Sequence, residues 1–354
     1  MLKEEILTMR RLNPVLVLAL ALSPVCGFGQ TGKAEPANAQ DVIFRRSTTG
    51  NVYALDSAGR LQTLLEKTGI AALSPDGQYL AYWRTDRHEV HLFSFRDKSD
   101  RVVENIPVGV IRDMIWTADS ASVAYLGKLT PPGLHLMDLR HGTQRVLPGS
   151  YPIIGAAADG AHLLAIDEMK LAKLALADGR AQVLLDFGRA IWNASELQNG
   201  SLLGLLITRE DPPEATDDDP NCQGPTMELM VLRQGTLTTL PYPAGFDSVL
   251  DFEFAPDGQA VAVTYGAAAC DYPGDVARVY VVRLSDLKME AASAADRLSV
   301  KVKWSPGGRS LAFSDYTTGN DSSLYQYDLD SHRLTRLTDP GGDGPDEILG
   351  WRQH

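Results

Sequence analysis

What this chain has little of narrows it quickly. It carries only three cysteines in 354 residues, too few for a small scaffold held together by disulfides. Basic residues are in short supply. The 33 Lys and Arg face 45 Asp and Glu, a net charge of −12, which argues against gripping nucleic acid by neutralising phosphates. Long apolar runs are missing as well. The one at Pro14–Leu22 falls well short of the ~20 residues needed to cross a bilayer. Helical periodicity is scarce, and there is no G-x-S-x-G elbow, no H-E-x-x-H pair and no glycine loop for cradling phosphate. What remains, 44% hydrophobic and 22% charged, is the composition of a folded globular protein and excludes wholesale disorder.

The first residues read as a secretory signal. Arg10 and Arg11 precede the short apolar run, and small residues follow it at Ser23, Gly27 and Gly29. Glu4 and Glu5 sit badly in a positive head, which favours Met9 as the start. Cys26 raises the question of a lipid anchor. Ser23 and Val25 stand where a lipoprotein signal has an aliphatic and a small residue, so ordinary cleavage near Gly27 or Gly29 is expected. The expected organisation is therefore a signal peptide over 1–29, a polar flexible leader over 30–41 and one domain over 42–354. The mature chain would be periplasmic or secreted, with 30 basic and 43 acidic residues and a net charge of −13.

The strongest signal is self-similarity. LSPDGQYLAY (73–82) returns as FAPDGQAVAV (254–263) and WSPGGRSLAF (304–313). Weaker copies are WTADSASVAY (116–125), AAADGAHLLA (156–165) and ELQNGSLLGL (196–205). Aligned on the turn at 76, 119, 159, 199, 257 and 307, the steps are 43, 40, 40, 58 and 50 residues. A period near 40–50 built of short strands marks the blades of a propeller. Within each unit a strand ends at an Asp-Gly type turn, where both residues tolerate positive φ, and a second apolar strand follows. Third strands such as VHLFSFR (90–96) and ARVYVVRL (277–284), and fourth strands such as TQRVLPG (143–149), complete four antiparallel strands per unit.

The repeat, an aromatic residue, then Ser/Thr/Ala, Pro-Asp-Gly and an apolar strand, resembles that of TolB-like, WD-type propellers and extends over 42–354. Nothing like the separate α/β domain of TolB is found before it. The resemblance implies an all-β propeller, a fold that serves binding proteins, assembly factors and the non-catalytic parts of peptidases, and the expected ring has seven blades. The count of seven comes from the ends. The chain enters at Val42–Arg45 without a first strand of its own, and Glu347–Trp351 is a first strand without a blade, so the two ends should share one. Seven units average about 45 residues, six about 52.

In such a ring the turns joining strands one to two and three to four lie on one face, and here they are uniformly short. The opposite face varies, with long loops at 209–226, 266–275 and 316–323. Recognition is expected on that face, through Arg209, Glu210, Asp217, Asp218, Asp219, Asp271, Tyr272, Asp275, Tyr316 and Asp321. Cys222 and Cys270 fall in two of these loops and, in an exported chain, are expected to form a disulfide. The acidic run could offer oxygens to Ca²⁺, but its spacing matches no calcium loop, so no metal or other cofactor is assigned. Asp251 and Glu253 on one first strand, and Lys301 and Lys303 at the matching places of the next, should pair near the central channel. Arg112 and Asp113 stand at a similar level, at the channel mouth. Trp116, Trp304 and Trp351 are expected to pack between blades, and His88 and His91 lack the further ligands of a zinc site. Asn193-Ala194-Ser195 is a formal glycosylation triplet. The function these features favour is a monomeric, non-enzymatic binding or scaffold module for a protein or peptide of the cell envelope. A propeller enzyme of lactonase or lyase type, with its site at the channel mouth, is the alternative.

Overall fold

The structure, a computed structural model, describes residues 40–106, 109–129, 131–147, 151–167, 169–209, 226–266, 277–294, 298–316, 322–339 and 346–353. The chain enters through β1 (Gln40–Arg46), β2 (Asn51–Leu55) and β3 (Leu61–Leu65). Three meanders follow: β4 (Thr68–Leu73), β5 (Tyr79–Arg84), β6 (Glu89–Ser94) and β7 (Asp100–Asn105); β8 (Val110–Trp116), β9 (Ser122–Lys128), β10 (Leu134–Asp138) and β11 (Thr143–Leu147); β12 (Ile153–Ala156), β13 (His162–Asp167), β14 (Lys170–Ala175) and β15 (Ala181–Asp186). Then come β16 (Ile191–Glu196), β17 (Leu202–Thr208), β18 (Met227–Arg233) and β19 (Thr236–Thr239), and β20 (Ser248–Phe254), β21 (Ala260–Gly266), β22 (Ala277–Arg283) and β23 (Met289–Ala291). The last are β24 (Leu298–Trp304), β25 (Ser310–Tyr316), β26 (Ser322–Asp328) and β27 (Arg333–Arg336), and finally β28 (Asp346–Gln353).

These strands make an all-β propeller of four-stranded antiparallel blades. Five sheets are separate and four-stranded, where the repeat predicts seven separate ones. The difference has a local cause. A single parallel pairing, Ala277 with Leu298, ties the β20–β23 meander to the β24–β27 meander, so the two count as one eight-stranded sheet. The ends share a sheet as expected, in the order β28-β1-β2-β3. Pairing between them includes Gln40 with Gln353 and Asp41 with Arg352.

Burial explains the strand grammar. Second strands lie between two neighbouring sheets and are covered on both faces, so they read as almost continuous apolar runs. Leu202–Thr208 is buried at all but its last residue. Fourth strands are outermost and polar, and Thr236–Thr239 is exposed throughout. The cores are correspondingly layers between sheets: Trp83, Val90 and Leu92 of one pack with Met114, Trp116 and Tyr125 of the next. The one-to-two turns are built alike. At Asp76, Asp119, Asp159, Asn199 and Asp257 the side chain accepts a hydrogen bond from the backbone N–H two residues on, at 2.9–3.0 Å. Glycine follows at Gly77 and Gly258 because φ there is +68°.

Candidate functional site at the channel mouth

The strands that line the axis are β4, β8, β12, β16, β20, β24 and β28, each ending at a tight turn or, for β28, near the C-terminus. Six lose register near their start: between Thr68 and Ala71, Ile111 and Asp113, Ile153 and Gly155, Ile191 and Asn193, Val249 and Asp251, and Val300 and Lys303. In β28 the break skips Leu349. These bulges leave residues of each inner strand out of the ladder, two to four positions before the aromatic site that ends the strand. At its bulge Lys301 adopts φ +55°, which is uncommon for a residue with a side chain.

Behind the bulges lies a cavity of about 520 Å³, within the usual range for ligand sites. Counting three residues back from the aromatic position that ends each repeat's first strand, the equivalent residues are Ile70, Asp113, Ile153, Asn193, Asp251, Lys301 and Ile348. Five of these, Asp113, Ile153, Asn193, Asp251 and Lys301, line the cavity. Trp192, Leu250 and Ile154, the bulge residues of three consecutive blades, line it beside them. Trp192 is 51% exposed, and its Nε1–H donates to Thr208 Oγ1 at 3.0 Å, which holds the ring in place.

The electrostatics are those of a walled but open channel. Asp113 and Lys301 have exposed side chains, yet protein surrounds them laterally. Burial raises the Asp113 carboxyl above its usual range, helped by Glu347 and opposed by Lys301. Asp251 is raised by burial too, against the pull of Lys301 and Lys303. Each of the two aspartates accepts from the backbone N–H of the next residue, Met114 at 2.8 Å and Phe252 at 3.0 Å. Of the two predicted ion pairs one forms, Lys303 Nζ to Glu253 Oε1 at 3.4 Å. Glu253 raises the Lys303 ammonium, while burial raises the Glu253 carboxyl. Arg45 pairs with Glu347 at 2.8 Å. Asp251 and Lys301 influence each other without direct contact.

The aromatic residues lock neighbouring blades. Trp116 Nε1–H donates to Ala72 O at 2.8 Å, Trp304 Nε1–H to Glu253 O at 2.9 Å and Trp351 Nε1–H to Lys303 O at 3.4 Å. All three reach the same position of the preceding inner strand. Glu196 fills the aromatic position in β16 and makes its own link, accepting from Ala158 N–H at 2.9 Å. Farther out, Glu104 of β7 crosses to the next sheet, where it hydrogen-bonds Tyr125 and, at 3.1 Å, His135. His91 is likewise held by Asp100 at 3.1 Å and Glu89 at 2.9 Å, two carboxylates rather than a metal set.

The loop residues divide differently. Arg209 places its guanidinium over the Tyr242 ring, 5.2 Å from the centroid. Tyr316 ends β25 opposite Leu298 and Ser322. Arg112 is exposed in its bulge and does not line the cavity. Glu210, Asp217, Asp218, Asp219, Asp271, Tyr272, Asp275 and Asp321 lie outside the described residues, as do Cys222, Cys270 and the expected signal and leader up to residue 39. Asn193, the head of the formal glycosylation triplet, lines the cavity instead of a surface loop. Trp192 and Leu250 were not picked out from the sequence. The signal that finds them is the repeat itself, since they stand one residue before Asn193 and Asp251.

Fold and mouth together define a β-propeller of four-stranded antiparallel blades with a polar-lined cavity at one end of its channel. No family model matches the chain, and no curated protein does. Solved structures do. The β-propeller domain of the trilobed protease from Pyrococcus furiosus, described as having an open velcro topology, matches with TM-score 0.60 and 11% identity over 86% of this chain and 99% of that one. Oligogalacturonate lyase from Vibrio parahaemolyticus matches with TM-score 0.55 and 13% identity over 87% of each chain. TolB from Acinetobacter baumannii matches with TM-score 0.48 and 13% identity over 89% of this chain and 66% of that one. At these identities the likeness is one of fold. Among the described residues no helix is long and apolar enough to cross a membrane.

Proposed function

We propose that this chain is an exported, non-enzymatic binding module that takes a protein or peptide of the cell envelope on the face opposite the tight turns, around the channel mouth. We count its ring as seven blades, the eight-stranded sheet being two joined by one residue pair. The observation that carries the reading is the cavity lined by equivalent positions of five consecutive inner strands, with bulges aiming side chains into it. Exposed apolar groups gather at the same end: Val110 at the start of β8, Met169 in the β13–β14 hairpin, Trp192 and Leu250. The loops holding Glu210, Asp217–Asp219 and Asp271, tied by a Cys222–Cys270 disulfide, would extend this surface outward. The test is capture from envelope extract with three forms of the mature chain. A partner taken by the wild type and by Arg180→Ala, on the tight-turn face, but lost with the double change Trp192→Ala and Leu250→Ser, supports the reading. A partner retained by all three, or none at all, defeats it.

An enzyme of lactonase or lyase type with its site at the mouth is the second reading. What favours it is the pair of carboxyls at Asp113 and Asp251, both raised by burial, as a general acid would need. Turnover of a lactone or uronide abolished by Asp251→Asn would establish it.

A further inference from the structure

We propose that the channel-mouth cavity is a pocket for a basic side chain, taking the guanidinium or ammonium of an arginine or lysine on a peptide between Asp113 and Asp251. This deepens the binding-module reading and rests on it for the peptide, though not for the pocket.

The charges decide the sign. Around the inner channel, Arg45 is taken by Glu347 at 2.8 Å and Lys303 by Glu253 at 3.4 Å. That leaves the charged groups that line the cavity, two carboxylates at Asp113 and Asp251 and one ammonium at Lys301. None of the three makes an ion pair within 4 Å with a described residue. Each aspartate spends one oxygen on the adjacent backbone N–H, which leaves the other free to accept. The lining therefore keeps two free carboxylate oxygens and a surplus of one negative charge. A guanidinium or ammonium donates to both free oxygens and balances the charge, whereas a carboxylate would add repulsion from both aspartates.

The apolar part of the lining suits the rest of such a side chain. Arginine and lysine carry a methylene stem behind the charged head. Trp192 and Leu250, exposed and adjacent to Asn193 and Asp251, offer that stem an indole face and an aliphatic edge. The Thr208 hydrogen bond fixes the indole beforehand, so little side-chain freedom is lost on binding. A cation reaching past the indole gains from the ring face as well.

The test uses the mature protein and three capped amino acids: N-acetyl-arginine amide, N-acetyl-glutamine amide and N-acetyl-glutamate amide. Binding is read by calorimetry and by tryptophan fluorescence. The arginine probe should bind at least tenfold more tightly than either of the others. Its affinity should fall with salt and drop at least tenfold in the double variant Asp113→Asn and Asp251→Asn, with circular dichroism unchanged. The fluorescence response should vanish in Trp192→Phe. Equal or tighter binding of the glutamine or glutamate probe by the wild-type protein overturns the proposal whatever the variants do, as does full affinity in the double variant. The probes need no partner protein, which separates the two hypotheses. Partner capture that depends on the face, without arginine preference, defeats the basic pocket alone. Arginine preference without such a partner leaves the pocket standing and defeats the larger reading.

Discussion

Glu253 is the side chain whose removal most directly tests how the blades are joined. Its Oε2 accepts the backbone N–H of Trp304 at 3.0 Å, its backbone carbonyl accepts the Trp304 indole N–H at 2.9 Å and its Oε1 lies 3.4 Å from Lys303 Nζ. Three bonds therefore cross from β20 to β24 through one residue, but they are unequal. The indole bond goes to backbone and survives any substitution at 253. The ion pair is modest because the Lys303 side chain is 40% exposed, and an exposed pair contributes roughly 0–1 kcal/mol. The Oε2 bond satisfies a backbone donor at a buried residue, and leaving such a donor without an acceptor costs about 1–3 kcal/mol.

Glu253→Leu removes the acceptor and the charge, so it should destabilise by about 1–3 kcal/mol, offset in part because a carboxylate raised by burial no longer has to be held. Glu253→Gln keeps an oxygen for Trp304 N–H and should cost under about 1 kcal/mol. For a chain of this size each kcal/mol moves Tm by roughly 2 °C. Thermal unfolding followed by circular dichroism should thus place the Leu variant about 2–6 °C below wild type and the Gln variant within about 2 °C. A double-mutant cycle with Lys303→Met should return a coupling no larger than about 1 kcal/mol. If Gln falls as far as Leu, the charge and not the acceptor joins the blades. If Leu falls by nothing, the link is dispensable.

Three further outcomes can be checked. Glu104 hydrogen-bonds His135 and raises its pKa above 6.5, so this contribution to stability is complete below about 6.5 and is lost as pH rises through the folded value. Burial works against ionisation of Glu104, but the bonds from His135 and Tyr125 outweigh it and hold it below 4.5; that contribution is present above about 4.5 and lost as pH falls through the folded value. Tm against pH should therefore decline above about 6.5 less steeply in His135→Gln than in wild type, and parallel curves would refute the link. Gly258→Ala, at φ +68° with a Cβ only 2.8 Å from Leu197 Cδ2, should cost more than Gly59→Ala, at φ +76° with nothing within 4 Å. The second pays strain alone, about 1–2 kcal/mol, so equal losses in denaturant titration would contradict the turn geometry. The expected Cys222–Cys270 disulfide should leave no free thiol at either position in mass spectrometry of unreduced mature protein, and reduction should cost up to about 4 kcal/mol; free thiols at both would dismiss it.

Much of the fold was legible because each blade repeats one local rule. Asp-Gly at 76–77 and 257–258 fixes a turn, and the apolar run after it fixes a strand buried on both faces, so spacing alone phased the ring. The lock formed by Trp116, Trp304 and Trp351 was legible for the same reason, as an aromatic residue at one fixed place of the repeat. The joining of the last two meanders was not, because one backbone pair, Ala277 with Leu298, leaves no trace in side-chain pattern. The mouth was half legible. Charged residues on strands that should be apolar drew attention to Asp113, Asp251 and Lys301. Matching places in the repeat predict a pair between Asp251 and Lys301, and the structure does not form it as a direct contact. A regular strand would put matching residues of neighbouring blades side by side, but the ladder between Val300 and Lys303 slips at Lys301. The slip separates Lys301 from a direct contact and leaves Lys303, beyond it, in register to reach Glu253. A bulge has no residue signature of its own, since Arg112, Trp192, Leu250 and Ile154 share no chemistry. Arg112, Trp192 and Leu250 share only their place four residues before the aromatic site of the repeat, Ile154 stands two before it, and each is left out of the ladder. The composition of the cavity is therefore free to vary without disturbing the fold. That freedom explains why a sequence so explicit about its architecture says least about the residues through which it would meet another molecule.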